Sequence, residues 1–157
     1  MSYLEFTGNL CHMSDISENS VTIEAPIGDV AAVLTDLAAY PSWSTAIKSV
    51  EVHEKDSSGR ATKAKISIDA GVMKDRVILD YDWSKSPAEI TFELDDADLL
   101  TEMTGAYKLI DNGDDTTSVT YELTVALSMP VPAMMRQKAE RATIDLALNQ
   151  LKARLES

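Results

Sequence analysis

The sequence predicts an α+β domain in which one curled antiparallel sheet of about seven strands wraps a single long C-terminal helix, with two short helices after the first strand. Three observations carry this. Apolar residues alternate with period two in one early stretch, then with little interruption from Ile47 to Leu127. The turn sequences "DSSGR", "SKSP" and "DNGDD" separate the later runs closely enough for consecutive strands to pair as a meander. After Pro132 the spacing becomes helical and stays so to the end. A meander leaves one apolar face to cover, and only the terminal helix is long enough to cover it. A sheet this wide curls strongly, so a helix laid across it leaves room for a cavity.

Taken in order, "NSVTIEAP" puts Val21, Ile23 and Ala25 on one side of a strand, and Pro26 ends it in a form suited to a helix start. In "IGDVAAVLTDLAAY", Ile27, Val30, Val33 or Leu34, and Leu37 fall at helical spacing, with Asp29 in the positive first turn. The Tyr40-Pro41 step stops this helix, because the residue before proline is pushed out of the α region. The strands that follow place Val50 and Val52, then Ala64, Ile66, Ile68 and Ala70, on one face. Val77, Leu79, Tyr81 and Trp83 come next, opposite Arg76, Ile78, Asp80 and Asp82. Ile90, Phe92 and Leu94, then Met103, Gly105, Tyr107 and Leu109, continue the pattern. After the hairpin signal "DNGDD", Val119, Tyr121, Leu123, Val125 and Leu127 complete it.

Composition bounds the function. The 157 residues are enough for one domain with a continuous core, and 45% hydrophobic with 25% charged is ordinary for a globular protein. A balance of 14 basic against 26 acidic residues, net −12, repels phosphate backbones and anionic lipids, which argues against a nucleic-acid partner. A single cysteine, Cys11, excludes an internal disulfide framework and a CxxC metal site. No segment approaches a membrane span and no signal-type start is present, so a cytoplasmic protein without stable membrane insertion is expected. Residues 1–17 read as a leader, disordered or of cloning origin: His12-Met13 is what a common cloning site encodes, and Met13 would then be the true start. Residues 18–157 form the domain.

The opening "I.AP...V" (Ile23, Ala25, Pro26, Val30), the corner "YP.W" (Tyr40, Pro41, Trp43) and the terminal helix resemble the START-like helix-grip (SRPBCC) superfamily. Within it, the chain resembles the branch of polyketide cyclases/dehydrases and coenzyme Q-binding proteins, over roughly residues 18–156. The resemblance implies a helix-grip fold and a cavity under the terminal helix that takes lipids, quinones, polyketides or hormones. No cofactor and no metal are expected.

A ligand site is expected from Tyr40, Trp43, Val77, Leu79, Tyr81, Trp83, Phe92, Met103, Tyr107, Met134 and Arg141. Trp43 has two open roles, a plug at the helix-to-strand corner or a wall of the cavity. On the terminal helix one stripe runs Met134, Arg141, Ile144, Leu148, Leu151 and Leu155, interrupted by Gln137 and Arg141. Arg141 either holds a ligand carboxylate or quinone oxygen or pairs with Glu140 or Asp145. Met134 and Met135 suit an adaptable wall or plain core filling. The helix is apolar on a second side as well (Met135, Ala139, Ala142, Leu146), which allows a partner such as a second copy in a homodimer.

The catalytic inventory is thin. His53 lies on a strand among Glu51, Glu54 and Lys55 and reads as solvated, as do the acidic stretches "DDAD" (95–98) and "DNGDD" (111–115), both expected at turns. No GxSxG elbow, P-loop or GxGxxG occurs, and no catalytic residue is assigned. The reading is therefore a binder of a small hydrophobic molecule. A cyclase/dehydrase-type enzyme is the alternative, and a protein-interaction module of the toxin-like kind is the third.

Overall fold

A computed structural model of the chain describes residues 16–71 and 74–157. The expected leader therefore lies outside the described residues except for Ile16 and Ser17, and Ser17 already belongs to the first strand. The strands are β1 (Ser17–Ile23), β2 (Ile47–Lys55), β3 (Ala61–Asp69), β4 (Lys74–Asp82), β5 (Glu89–Ala97), β6 (Leu100–Asp111) and β7 (Thr117–Leu127). They form one antiparallel sheet in the order β1-β7-β6-β5-β4-β3-β2. The meander β2 to β7 is the one the turn spacing predicts, and β1 closes the sheet beside β7. The terminal helix α2 (Ala133–Glu156) lies on β1 and β7.

Between β1 and β2 stand helix α1 (Ile27–Thr35) and a 3-10 helix (Leu37–Ser42). The first helix ends five residues before Tyr40, earlier than the Tyr40-Pro41 step predicts, and Pro41 sits inside the 3-10 turn. The break is at Asp36, whose backbone (φ −91°, ψ 78°) is not helical and re-aims the chain. The Leu34 carbonyl, orphaned at the end of α1, accepts the Tyr40 hydroxyl at 2.6 Å. That bond ties the corner down from the inside.

The core is the inner face of the sheet, with Ile23, Ala64, Ile66, Val77, Leu79, Ile90, Leu109, Val119 and Leu123 buried together with Ile144, Leu148 and Leu151 of α2. "DNGDD" forms the β6–β7 turn, where Gly113 (φ 87°) and Asp115 (φ 63°) take the left-handed conformation. "DDAD" is not confined to a turn: β5 runs through Ala97, and a bulge at Asp95 carries it past the register of β4. Asp95 instead pairs with Lys63 at 3.2 Å across the outer face.

One pair shows how the inner face is shaped. Phe92 on β5 is directly opposite Gly105 on β6. A Cβ built on Gly105 would lie 2.2 Å from the Phe92 ring, so the missing side chain is the space the ring occupies.

Candidate functional site

Between the inner face and the middle of α2 is a chamber lined by aromatic side chains. Tyr40 and Trp43 come from the 3-10 corner, Tyr81 from β4, Phe92 from β5, Tyr107 from β6 and Tyr121 from β7. Leu79 and Met103 fill between them, and Thr143 and Ala147 close it from the helix. Ring contacts join them in two groups, Tyr40 with Trp43 and Tyr81 with Phe92, Tyr121 and Tyr107. Tyr107 and Tyr121, paired in register, stack at 4.1 Å and 11°, Tyr81 meets Phe92 at 5.4 Å, and Tyr40 meets Trp43 at 4.9 Å.

Four phenols thus converge in an apolar interior. Burial, reinforced by the neighbouring phenols, pushes Tyr40 and Tyr107 far above the ordinary tyrosine range; Tyr81 is raised in the same direction but keeps some exposure to solvent. Burial also raises Tyr121, opposed by hydrogen bonding from Tyr107. All four stay protonated at neutral pH, so none is a base there; Tyr40 donates to the Leu34 carbonyl, and Tyr121 accepts from Tyr107. The chamber lining includes no carboxylate and no imidazole. Its one unmatched polar atom is the Trp43 indole nitrogen: Nε1 is buried without a hydrogen-bond partner.

The free volume is about 50 Å³. That is room for no more than a few water molecules, well below the several hundred Å³ of an open ligand pocket. The conformation is closed. A second space of about 300 Å³ opens farther along the same elements, toward the start of α2, lined by Leu99, Leu100, Val125, Leu127, Val131, Met135, Arg136 and Ala139. The register Met103↔Val125 sets a wall of the chamber directly against a wall of this groove. A shallower, open hollow of about 510 Å³ on the outer face carries Asp80, Asp82, Glu93 and Glu122 and has the character of a solvated surface.

Of the residues the sequence nominates, Tyr40, Trp43, Leu79, Tyr81, Phe92, Met103 and Tyr107 line the chamber. Four do not. Val77 is fully buried in the neighbouring core. Trp83 is buried behind Tyr81, its ring stacked at 5.1 Å and its indole N–H given to the Ala61 carbonyl at 2.7 Å. Met134 is 80% exposed, and Arg141 is exposed. The reason is one position of helical phase. The inward stripe is Glu140, Thr143, Ile144, Ala147, Leu148 and Leu151, and Arg141 lies about 100° off Glu140. Arg141 pairs with neither expected partner: Glu140 is taken by Arg136 at 3.1 Å, and Asp145 by Asn19 at 2.8 Å.

The sequence reading missed Tyr121, Thr143 and Ala147 in the chamber, and two buried carboxylates outside it. Glu140, fully buried, accepts the Ser17 hydroxyl at 2.7 Å and the Val125 amide at 2.7 Å, besides Arg136. Among the described residues the pairing between β1 and β7 runs to Ser17↔Leu123, and two residues further along β7 the Val125 amide donates to this carboxylate. Asp75, 7% exposed, accepts the amides of Leu99 and Leu100 and binds the β5–β6 turn to β4. Both were detectable. Asp75 shares parity with Val77 and Leu79, and Glu140 precedes Ile144 and Leu148 by four and eight residues. His53 is exposed and bonded to Glu51, as expected of a solvated strand residue. Among the described residues no cluster of His, Cys, Asp or Glu could hold a metal ion, and no helix is long and apolar enough to cross a membrane.

A curled seven-strand sheet gripping one helix, with an aromatic chamber between them, defines a START-like helix-grip protein. Residues 16–156 match the family described as polyketide cyclase / dehydrase and lipid transport, and the chain belongs to it. Its fold is similar to that of a START superfamily protein from Mycobacterium smegmatis (21% identity, TM-score 0.84, covering 90% of this chain and 97% of that one). It is also similar to the Zhui aromatase/cyclase from Streptomyces sp. R1128 (17%, 0.72, 90% and 93%) and to a conserved protein from Geobacillus kaustophilus (14%, 0.74, 90% and 95%). No curated protein matches the sequence.

Proposed function

We propose that this protein binds a small hydrophobic molecule between its terminal helix and the inner face of the sheet. The observation that carries the reading is the chamber itself: four phenols and an unmatched indole N–H gathered where an ordinary core would place aliphatic side chains. The groove is the approach and the chamber the inner end, so a ligand of ordinary size passes Met103 and shifts it. Methionine, unbranched and polarizable, is suited to such a wall. Family membership supports a hydrophobic ligand.

A cyclase-type reaction, the activity for which the Streptomyces neighbour is named, is the weaker reading. Such chemistry needs a base placed at the reacting carbon, and phenols held protonated by burial supply only donors. Native mass spectrometry of the protein purified from its own host tests the binding reading. A co-purified hydrophobic molecule, released on denaturation, is expected. A ligand-free protein whose tryptophan fluorescence ignores quinones, fatty acids and polycyclic phenols alike would overturn it.

A further inference from the structure

We propose that the Trp43 indole N–H is the ligand's anchor, and that the chamber selects neutral molecules bearing a hydrogen-bond acceptor, such as a ketone or ether oxygen, over hydrocarbons or carboxylates of the same shape. This rests on the binding reading above and adds a specificity to it.

The two tryptophans make the contrast. Trp83 is buried and its N–H reaches the Ala61 carbonyl at 2.7 Å, so this fold can satisfy a buried indole. Trp43 is only 9% exposed, and its N–H has no partner. A buried donor left unmatched carries its full desolvation cost, and native interiors rarely keep one without a reason. Its neighbour Tyr40 gives its own hydroxyl to the Leu34 carbonyl. The free space that Trp43 lines is large enough for an acceptor atom or one water.

Charge sets the rest of the selection. No lysine or arginine lines the chamber; the cations Lys74 and Arg136 line only the groove, Arg136 being paired with Glu140, and Arg141 is exposed. A carboxylate there would lose its hydration with no cation to replace it. A carbonyl oxygen carries partial negative charge without that cost and can accept from Trp43. A hydrocarbon would fill the same space and leave the N–H unmatched.

The chain has only two tryptophans, so an ¹⁵N-¹H spectrum of the whole protein shows the two indole N–H signals separately, and Trp43→Phe assigns them. The probes are 1-indanone, indane and 1-indanecarboxylate. With 1-indanone the Trp43 indole proton is expected to move downfield saturably, while Trp83, already bonded, stays in place. Indane should shift the methyl signals of Ile66 and Met103 without moving the indole and bind about tenfold more weakly. The carboxylate should do neither. Trp43→Phe should bring indanone and indane to parity. If the methyls respond equally to both neutral probes and the indole does not move, the acceptor selection is wrong and the binding reading stands. If no signal responds to any probe, both fall. If Trp43→Phe misfolds, Trp83→Phe assigns the same two indole signals, and the comparison of probes on the wild-type protein still decides the question.

Discussion

Glu140 and Trp43 are sealed inside the same sheet-and-helix core, and their surroundings differ in kind. Around Glu140 the carboxylate is matched by Ser17, Val125 and Arg136, which join β1, β7 and α2 at one point. Around Trp43 are four phenols, a void and a donor with nothing to donate to. The first arrangement is what a buried charge requires to be tolerated at all. The second is incomplete by itself and becomes complete when something enters. Buried polarity therefore has two meanings in this molecule: a clasp where the matching is closed, and a binding site where it is open.

The largest expected effect separates the two regions by pH. Tyr40, Tyr107 and Tyr121 have folded pKa values raised above the usual 10.0, so the folded state holds its phenolic protons more tightly than the unfolded chain. Their contribution is whole below pH 10 and is lost as pH rises above it, by about 1.4 kcal/mol per phenol for each pH unit until the folded value is reached. The chain has five tyrosines, four of them in the chamber lining, so most of the tyrosinate absorbance should appear together with loss of circular dichroism, in one alkaline transition. More than one equivalent of tyrosinate forming near pH 10 in a protein still folded would mean the chamber is open to water.

Next in size is the clasp. Glu140→Ala leaves the Val125 amide, the Ser17 hydroxyl and the Arg136 guanidinium without their acceptor, at a cost of about 3–5 kcal/mol. Chemical denaturation measures it, and a loss below about 1 kcal/mol would show that water replaces the carboxylate. Ligand-induced shifts in the chamber should survive wherever the variant remains folded.

Gly105→Ala acts on the other side of the comparison. Its Cβ would meet the Phe92 ring, which has to swing from its place on β6. We expect about 1–3 kcal/mol of destabilisation from overpacking, together with reduced uptake of a hydrophobic probe, because the ring has the chamber to move into. An unchanged melting temperature with unchanged uptake would show that the ring has another resting place. The smallest effect belongs to Arg141→Met, expected within about 0.5 kcal/mol on stability and within error on affinity for any ligand class. A clear loss of binding would restore the cation to the site.

The sequence by itself determined the architecture. Period-two alternation from Ile47 to Leu127, with turn residues at close intervals, allows little other than a meander, because a register slip of one residue would turn every buried side chain to water. The same parity placed Tyr81, Phe92, Met103 and Tyr107 on the inner face, since alternation needs no knowledge of what lies opposite. The helix was harder to read. Nearly apolar on two sides, it offers a phase ambiguity that hydrophobicity alone does not resolve, and Arg141 and Met134 were nominated on the wrong side of it. Only the tertiary structure decided that phase. Helical spacing allows Glu140 the inward side with Ile144 and Leu148, but what admits a carboxylate there is the Val125 amide it accepts, 15 residues earlier on a strand. Tertiary structure also decided that Trp83 is satisfied and Trp43 is not. The two are identical in residue type and similarly buried; what differs is whether a carbonyl stands within reach, and that depends on how separate strands and the corner come together in space.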